Sequence, residues 1–237
     1  ARIATEAWAA AHVYCANCES PEIESLPRNT PAHDFVCPDC RAPYQLKSQS
    51  KPLRSRIVDA GHAQMCRAIR EDRTPNLLVM HYDLANWRVR NLILVPRFAF
   101  SLAAIERRRP LGPHARRAGW IGCNILLDSI PADAKLLLVD NGKLSAPASV
   151  RETYKRVMPL AALEPRERGW TLDVLAAVRS LGKQSFTLSE VYSLESKLAK
   201  LHSGNRHVRD KIRQQLQVLR DAHLLDFVDR GSYRLRS

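Results

Sequence analysis

The hydrophobic and polar positions change period several times along the chain, and each change predicts an element. Residues 2–12 are alanine-rich and helical in propensity, predicting a helix from Arg2 to His12. Residues 31–36 and 43–49 read as short strands on either side of a Cys-Pro-Asp-Cys turn. A helix is expected from about Arg56 to Arg70, stopped by Thr74-Pro75-Asn76. Two apolar runs, Asn76–Tyr82 and Trp87–Pro96, flank Asp83-Leu84-Ala85-Asn86 and predict a hairpin. Residues 106–124 are basic and loop-like, and Lys135–Asp140 forms a further strand ending at Asn141-Gly142. The first part of the chain is therefore mixed α/β.

From Met158-Pro159 to Arg168 the composition shifts, and beyond it the pattern turns helical. Trp170–Leu181 carries an apolar stripe closed by Gly182, and Thr187-Leu-Ser-Glu190 is a capping box opening a second helix to about Leu201. Asn205 precedes a third helix whose apolar face is Val208, Ile212, Leu216 and Leu219. Leu224–Val228, the turn Asp229-Arg230-Gly231 and Ser232–Leu235 make a β-hairpin. Three helices and a hairpin in this order predict a winged helix, dividing the chain into 1–163 and 164–237.

Charge adds a partner to this picture. The 37 Lys+Arg against 24 Asp+Glu leave a formal net charge of +13, which points to an anionic polymer. The excess is spread over both parts, with 14 basic and 8 acidic residues in 165–237 and 23 and 16 in 1–164. Both domains are therefore expected to touch nucleic acid. No apolar run approaches the ~20 residues of a membrane-spanning helix, and no basic-then-apolar export signal opens the sequence, so a cytoplasmic protein is expected.

Four of the six cysteines stand as Cys15-Ala-Asn-Cys18 and Cys37-Pro-Asp-Cys40, eighteen residues apart. Two such knuckles close a tetrahedral thiolate shell around a structural zinc ion, with no open position for catalysis. Two disulfides are the competing pattern, disfavoured where thiols stay reduced. Cys66 and Cys123 have no such spacing and read as small buried apolar residues.

Asp34 precedes the second knuckle, and Gln45-Leu46-Lys47 follows it. Strand alternation turns Gln45 and Lys47 to one face and Tyr44 and Leu46 to the other, and the knuckle lays the two strands side by side. Asp34 then meets Gln45 and Lys47 across the hairpin. An oxygen-rich magnesium position beside a lysine has the form of a PD-(D/E)xK nuclease site: the cation binds the scissile phosphate and acidifies a water, and the lysine offsets the growing anionic charge. Gln45 departs from that pattern, whose third residue is an acid. A solvated polar strand face is the plainer reading of these three residues.

Tyr14–Cys18 with Cys37–Cys40, the Asp34–Lys47 segment, Pro113–Asn124, Arg168-Gly-Trp170 and Ile212–Asp221 together resemble the DpnI-type methyl-directed restriction endonucleases over nearly the whole chain. The resemblance implies an α/β (α+β) PD-(D/E)xK nuclease domain with an inserted four-cysteine zinc site, followed by a winged-helix domain. It implies a type II enzyme of prokaryotic restriction systems, hydrolysing double-stranded DNA at GATC sites that carry N6-methyladenine, by blunt cutting and as a monomer in solution. Asp34 and Lys47 match the metal-binding aspartate and the catalytic lysine, and Gln45 stands at the glutamate position. Asp34, Gln45 and Leu46 are then the magnesium set, with Mn²⁺ a possible substitute, and Cys15, Cys18, Cys37 and Cys40 the zinc set.

Trp120, behind Arg116 and Arg117, matches a tryptophan close to the methyl groups of the target adenines. An indole offers an apolar surface to a methyl in the major groove, while arginines hold phosphates or guanine edges; a core tryptophan with two surface arginines is the bland alternative. In the second domain Arg206, His207, Arg209, Lys211, Arg213 and Gln214 surround the polar face of the third helix, and Arg234 on the wing reaches toward phosphate. Two rivals remain: a zinc-ribbon and winged-helix regulator, and a methylated-DNA reader whose nuclease has decayed through Gln45.

Overall fold

A computed structural model describes residues 1–28 and 30–236. The chain opens with α1 (Arg2–His12), as its alanine-rich composition predicts. Two short strands, β1 (Glu24–Ser25) and β2 (Phe35–Val36), lead to β3 (Pro43–Gln49) and then to β4 (Arg56–Gly61). After α2 (His62–Arg70) come β5 (Asn76–Tyr82) and β6 (Val89–Val95), the antiparallel pair expected from the two apolar runs. The strands β7 (Ile105–Arg107) and β8 (Gly122–Leu126) flank the basic loop, and β9 (Leu136–Asp140) and β10 (Lys143–Leu144) meet at Asn141-Gly142. Both turn residues have positive φ, 48° and 82°, the backbone that favours Asn-Gly in a two-residue hairpin.

The principal sheet runs β1-β2-β3-β5-β6-β9-β10, parallel only between β3 and β5. A smaller sheet, β4-β8-β7, lies against one face of it. Between the two sheets sits an apolar cluster that includes Ile57, Leu77, Val79, Cys123 and Ile125. The opposite face, with Tyr44, Leu78, Met80 and Leu94, joins a second cluster running through the cysteine region and on into the C-terminal helices. Cys66 and Cys123 are buried, as expected of small apolar residues.

The expected helix from Arg56 to Arg70 is corrected: its first six residues form β4, and only His62–Arg70 is helical. In β4 the inward positions are Ile57, Asp59 and Gly61, while Arg56, Val58 and Ala60 face out. The apolar code of a strand is thus scrambled, and the period of two is hidden.

The α/β part closes with α3 (Pro147–Val157), packed on β9, and the C-terminal part begins with α4 (Pro165–Arg179); both helices have Pro at the first helical position, where its missing N–H costs nothing. The fourth helix therefore starts five residues ahead of the expected Trp170. After β11 (Ser185–Thr187), the predicted capping box is present: Glu190 N donates to Thr187 Oγ1, and Thr187 N donates to the Glu190 carboxylate. The single helix expected from there is split into α5 (Leu188–Tyr192) and α6 (Glu195–Leu201). The next helix, α7 (Val208–Asp221), buries Val208, Ile212, Leu216 and Leu219, and β12 (Leu225–Asp229) and β13 (Ser232–Leu235) form the wing. The short strand β11 joins the wing sheet beyond the two strands expected, and the order is β11-β13-β12.

Two carboxylates of the α/β part and one serine lock onto α4. Arg168, almost wholly buried, reaches Asp72; Arg179 binds Asp133; and Ser101 Oγ donates to Asp173 at 2.6 Å. These are charge-assisted hydrogen bonds, stronger than neutral ones where solvent is excluded. Among the described residues no helix is long and apolar enough to cross a membrane.

Candidate active site and DNA interface

The four thiols expected to hold zinc converge, with Cys15 and Cys37 buried and all four Sγ atoms within 4.8 Å of one another. Cys15 Sγ is 3.6 Å from Cys40 Sγ, and Cys18 Sγ is 3.5 Å from Cys37 Sγ. A tetrahedron with Zn–S near 2.3 Å has edges of about 3.8 Å, so the cluster fits a structural zinc ion and leaves no side for a substrate. Burial raises the Cys37 thiol, but backbone N–H groups of Cys40 and Asp39 together with the Cys18 and Cys15 thiols outweigh it and bring its pKa down to about 7. Tyr44 stands behind the cluster, its hydroxyl 3.2 Å from Cys15 Sγ and 3.2 Å from the Ala16 amide that donates to it. Arg151 closes the other side through the carbonyls of Cys15 and Ser20.

One residue beyond Tyr44 the side chains of β3 turn to the opposite face, as the alternation requires. Asp34, Gln45, Leu46 and Lys47 line one open cleft of about 550 Å³ with Arg2, Thr5, Glu6 and Ser48. Asp34 is fixed at both ends of its backbone, its N–H donating to the Tyr44 carbonyl and its C=O accepting from Leu26. Its carboxylate Oδ2 accepts from the Leu46 amide at 2.8 Å. Asp34, expected to meet Gln45 and Lys47, shares their cleft, but its direct side-chain contact on β3 is with the Leu46 amide, and Lys47 pairs with Asp59 instead. Asp34, the Gln45 amide and the Leu46 main chain supply oxygen donors alone, a set suited to a hard divalent cation.

Sequence reasoning missed three contacts at this cleft and behind it. Arg2 Nε pairs with Glu6 at 2.5 Å while its Nη2 lies 3.4 Å from Asp34, so one guanidinium spans both carboxylates. Thr5 and Ser48 share a 3.0 Å hydrogen bond that seats α1 on β3. Lys47 Nζ lies 2.6 Å from Asp59 Oδ1, on a strand that the sequence presented as helix. Glu6 was legible only as one polar turn of a helix, since its position over β3 is set by tertiary packing.

The basic loop is folded back on itself: the Leu111 amide donates to the Trp120 carbonyl and the Gly119 amide to the Leu111 carbonyl. Gly119 has φ 77°, a left-handed conformation natural to glycine. Arg116 and Arg117 are exposed at the loop tip, and Trp120 is half-buried. The indole lies on two glycines paired across β4 and β8, Gly61 and Gly122. A Cβ at Gly122 would come within 2.8 Å of the Trp120 ring, and one at Gly61 within 3.5 Å of its Nε1. Trp120 is thus neither a core residue nor a free one; it rests on a flat backbone shelf.

Arg206 and His207 lie in the turn before α7 rather than on the helix, whose first residue is Val208. Arg209, Arg213 and Gln214 are exposed on it, and Lys211 is half-buried. Several of these are already engaged: Arg209 with Glu195 at 2.7 Å, Arg213 with Asp210 at 2.6 Å, and Lys211 with the Gln214 side-chain oxygen Oε1 at 2.8 Å. Arg234 is exposed on the wing strand β13.

A mixed α/β domain with a four-cysteine cluster, followed by a helix-turn-helix domain with a wing, defines the class as a nuclease-type fold joined to a winged helix. Residues 1–162 match the family model DpnI, described as the Dam-replacing family, and residues 166–235 match its companion, the Dam-replacing HTH domain. The chain belongs to this DpnI family. Membership supports a methylation-dependent restriction enzyme with a DNA-binding helix-turn-helix domain.

Proposed function

We propose that the protein is a cytoplasmic, metal-dependent type II restriction endonuclease that cuts double-stranded DNA at GATC sites carrying N6-methyladenine. The observation that carries the reading is the cleft where Asp34, Gln45, Leu46 and Lys47 meet at one edge of β3. In this reading residues 1–163 cut and residues 164–237 bind, with the protein acting from a monomeric state in solution.

Asp34, the Gln45 side-chain oxygen and the Leu46 main-chain oxygen hold a Mg²⁺ ion, with Mn²⁺ as a substitute. When bound, that ion polarises the scissile phosphate and lowers the pKa of a water. Lys47 presents its ammonium to the same phosphate and offsets the charge that grows as water adds to phosphorus and the bond to the leaving sugar oxygen breaks. Gln45 ligates without charge, so the site holds its metal more weakly than a two-carboxylate site does.

Trp120 offers its indole to the adenine methyl groups, with Arg116 and Arg117 on the adjoining backbone or guanine edges. Arg209, Arg213 and Gln214 on α7 enter the major groove, Lys211 supports them, Arg206 and His207 hold phosphate at the helix entry, and Arg234 does so from the wing. The ion pairs that Arg209 and Arg213 make in the free protein are surface pairs, weak enough to be exchanged for phosphate.

The test is digestion of matched plasmids, adenine-methylated and unmethylated at GATC, with Mg²⁺ or Mn²⁺. Methyl-dependent cutting that is lost in Lys47→Ala is expected. Selective binding of the methylated plasmid with no cutting would sink the nuclease reading and leave a methylated-DNA reader.

A further inference from the structure

Asp59 is a buried carboxylate behind the cleft, outside its lining and reached through Lys47, and the motif that marks the cleft does not include it. Its side chain is only 2 % exposed, against 27 % for Lys47, whose ammonium lies 2.6 Å from Asp59 Oδ1. That oxygen takes no directed hydrogen bond among the described residues, so the ion pair with Lys47 is its compensation for leaving water. The two residues sit on different sheets, Lys47 on β3 of the large sheet and Asp59 on β4 of the small one. Neither strand pairs with the other, so the contact is made by side chains across the layer and not by a shared ladder.

Asp59 is turned inward by its place in β4. Its neighbours Ile57 and Gly61 also face inward, and Cys123, on the β8 strand paired with β4, donates to the Ala60 carbonyl at 3.3 Å. Asp59 sits where the β4–β8 ladder shifts register, between the pairs Val58↔Asn124 and Gly61↔Gly122, and is turned inward there, whereas Lys47 has a long flexible stem and a partly exposed head. An unpaired lysine in such a cleft samples many rotamers, and a fixed carboxylate at its head selects one.

We infer that Asp59 is a positioning residue that holds the Lys47 ammonium at the cleft where the scissile phosphate is bound. This rests on the nuclease reading of the cleft. The contact uses one edge of the ammonium and leaves its other donors for phosphate and water.

The test uses four forms of the full-length, zinc-loaded protein: wild type, D59N, K47Q and K47Q/D59N. Single-turnover cleavage of an adenine-methylated GATC duplex is measured with Mg²⁺. Affinity for the same duplex is measured with Ca²⁺ in place of Mg²⁺, and stability by denaturant midpoints. D59N is expected to cut ten- to a hundredfold more slowly with affinity unchanged within twofold, the signature of misplaced machinery rather than lost binding. K47Q/D59N is expected to cut no more slowly than K47Q, and to unfold at a higher denaturant concentration than K47Q, which leaves the buried carboxylate alone.

Cutting by D59N at the wild-type rate overturns the inference, as does a double variant whose midpoint shift equals the sum of the single shifts. Should D59N not fold, K47Q against K47Q/D59N still decides the pair. Wild type that does not cut defeats the nuclease reading, and is told apart because the midpoints report the coupling whether or not DNA is cut.

Discussion

The Tyr44 hydroxyl lies 3.2 Å from Cys15 Sγ, while the next side chain along the strand, Gln45, faces the Asp34 cleft on the other side of the sheet. The cysteine cluster and the candidate active site are therefore two faces of one strand. Burial and the neighbouring Cys15 raise the Tyr44 phenol above its ordinary range, so it stays a neutral donor to sulfur. Tyr44→Phe removes that donor and strands the Ala16 amide, which also points at the hydroxyl. A loss of about 1–3 kcal/mol of stability is expected, with zinc still bound in metal analysis. Stripping zinc with a chelator goes further: cleavage is lost as the register between β2 and β3 loosens, because ligand binding and folding are one event in such a knuckle. Unchanged cutting by metal-free protein would show that the cluster does not support the cleft.

Gln45 leads to a different measurement. A carboxylate at this position would share the cleft with Asp34 and Glu6, and Glu6 is already engaged by Arg2. Gln45→Glu is expected to lower the Mg²⁺ concentration for half-maximal cleavage by roughly tenfold or more, since each added charge strengthens a hard-cation site. The rate at saturating metal should change much less. A metal-titration curve superimposable on that of wild type would mean that Gln45 does not ligate.

How much of this was readable in the sequence depends on whether local pattern and tertiary role agreed. The hairpin of β5 and β6 was legible because two apolar runs flank a polar turn, and the four cysteines because their spacing carries the geometry. The winged helix was legible from its order, although α4 was placed late because its first turn is polar and opens on a proline. Strand β4 was hidden because its inward positions hold Asp59 and Gly61, so a buried carboxylate and a glycine shelf erased the apolar alternation. Asp34 and Lys47 were legible as a motif; Arg2, Glu6 and Asp59 were not, because only the packing of α1 and β4 against β3 brings them there.

Trp120 rests on Gly122, and a methyl group added there meets the ring at 2.8 Å. The neighbour is an indole on a loop, so the indole gives way rather than the strand. Gly122→Ala is expected to reduce the preference for methylated over unmethylated DNA, with stability lowered by only about 1 kcal/mol. Trp120→Ala should reduce it further by removing the apolar surface altogether. The measurement is the ratio of affinities for duplexes that differ in the adenine methyl groups alone. An unchanged ratio in both variants would assign methyl readout to the winged helix.

The capping box at Thr187 gives a pH dependence whose sign can be worked out. Glu190 accepts from Lys183, from the Thr187 amide and from the Thr187 hydroxyl, and these bonds to the charged form hold its pKa down to about 2. The folded value lies below the ordinary glutamate value of 4.5, so the ionised side chain favours the folded state. That contribution is complete above about 4.5 and is lost as pH falls toward about 2. In Glu190→Gln the charge is absent at every pH, while the amide oxygen still accepts from the Thr187 N–H. The gap in thermal midpoint between wild type and this variant should therefore be constant from neutral pH to about 5, then close on acidification. Because α5 packs against α7, the same variant should loosen that helix and weaken DNA binding modestly. A gap that stays open at about pH 2 would mean that the cap acts through shape rather than charge.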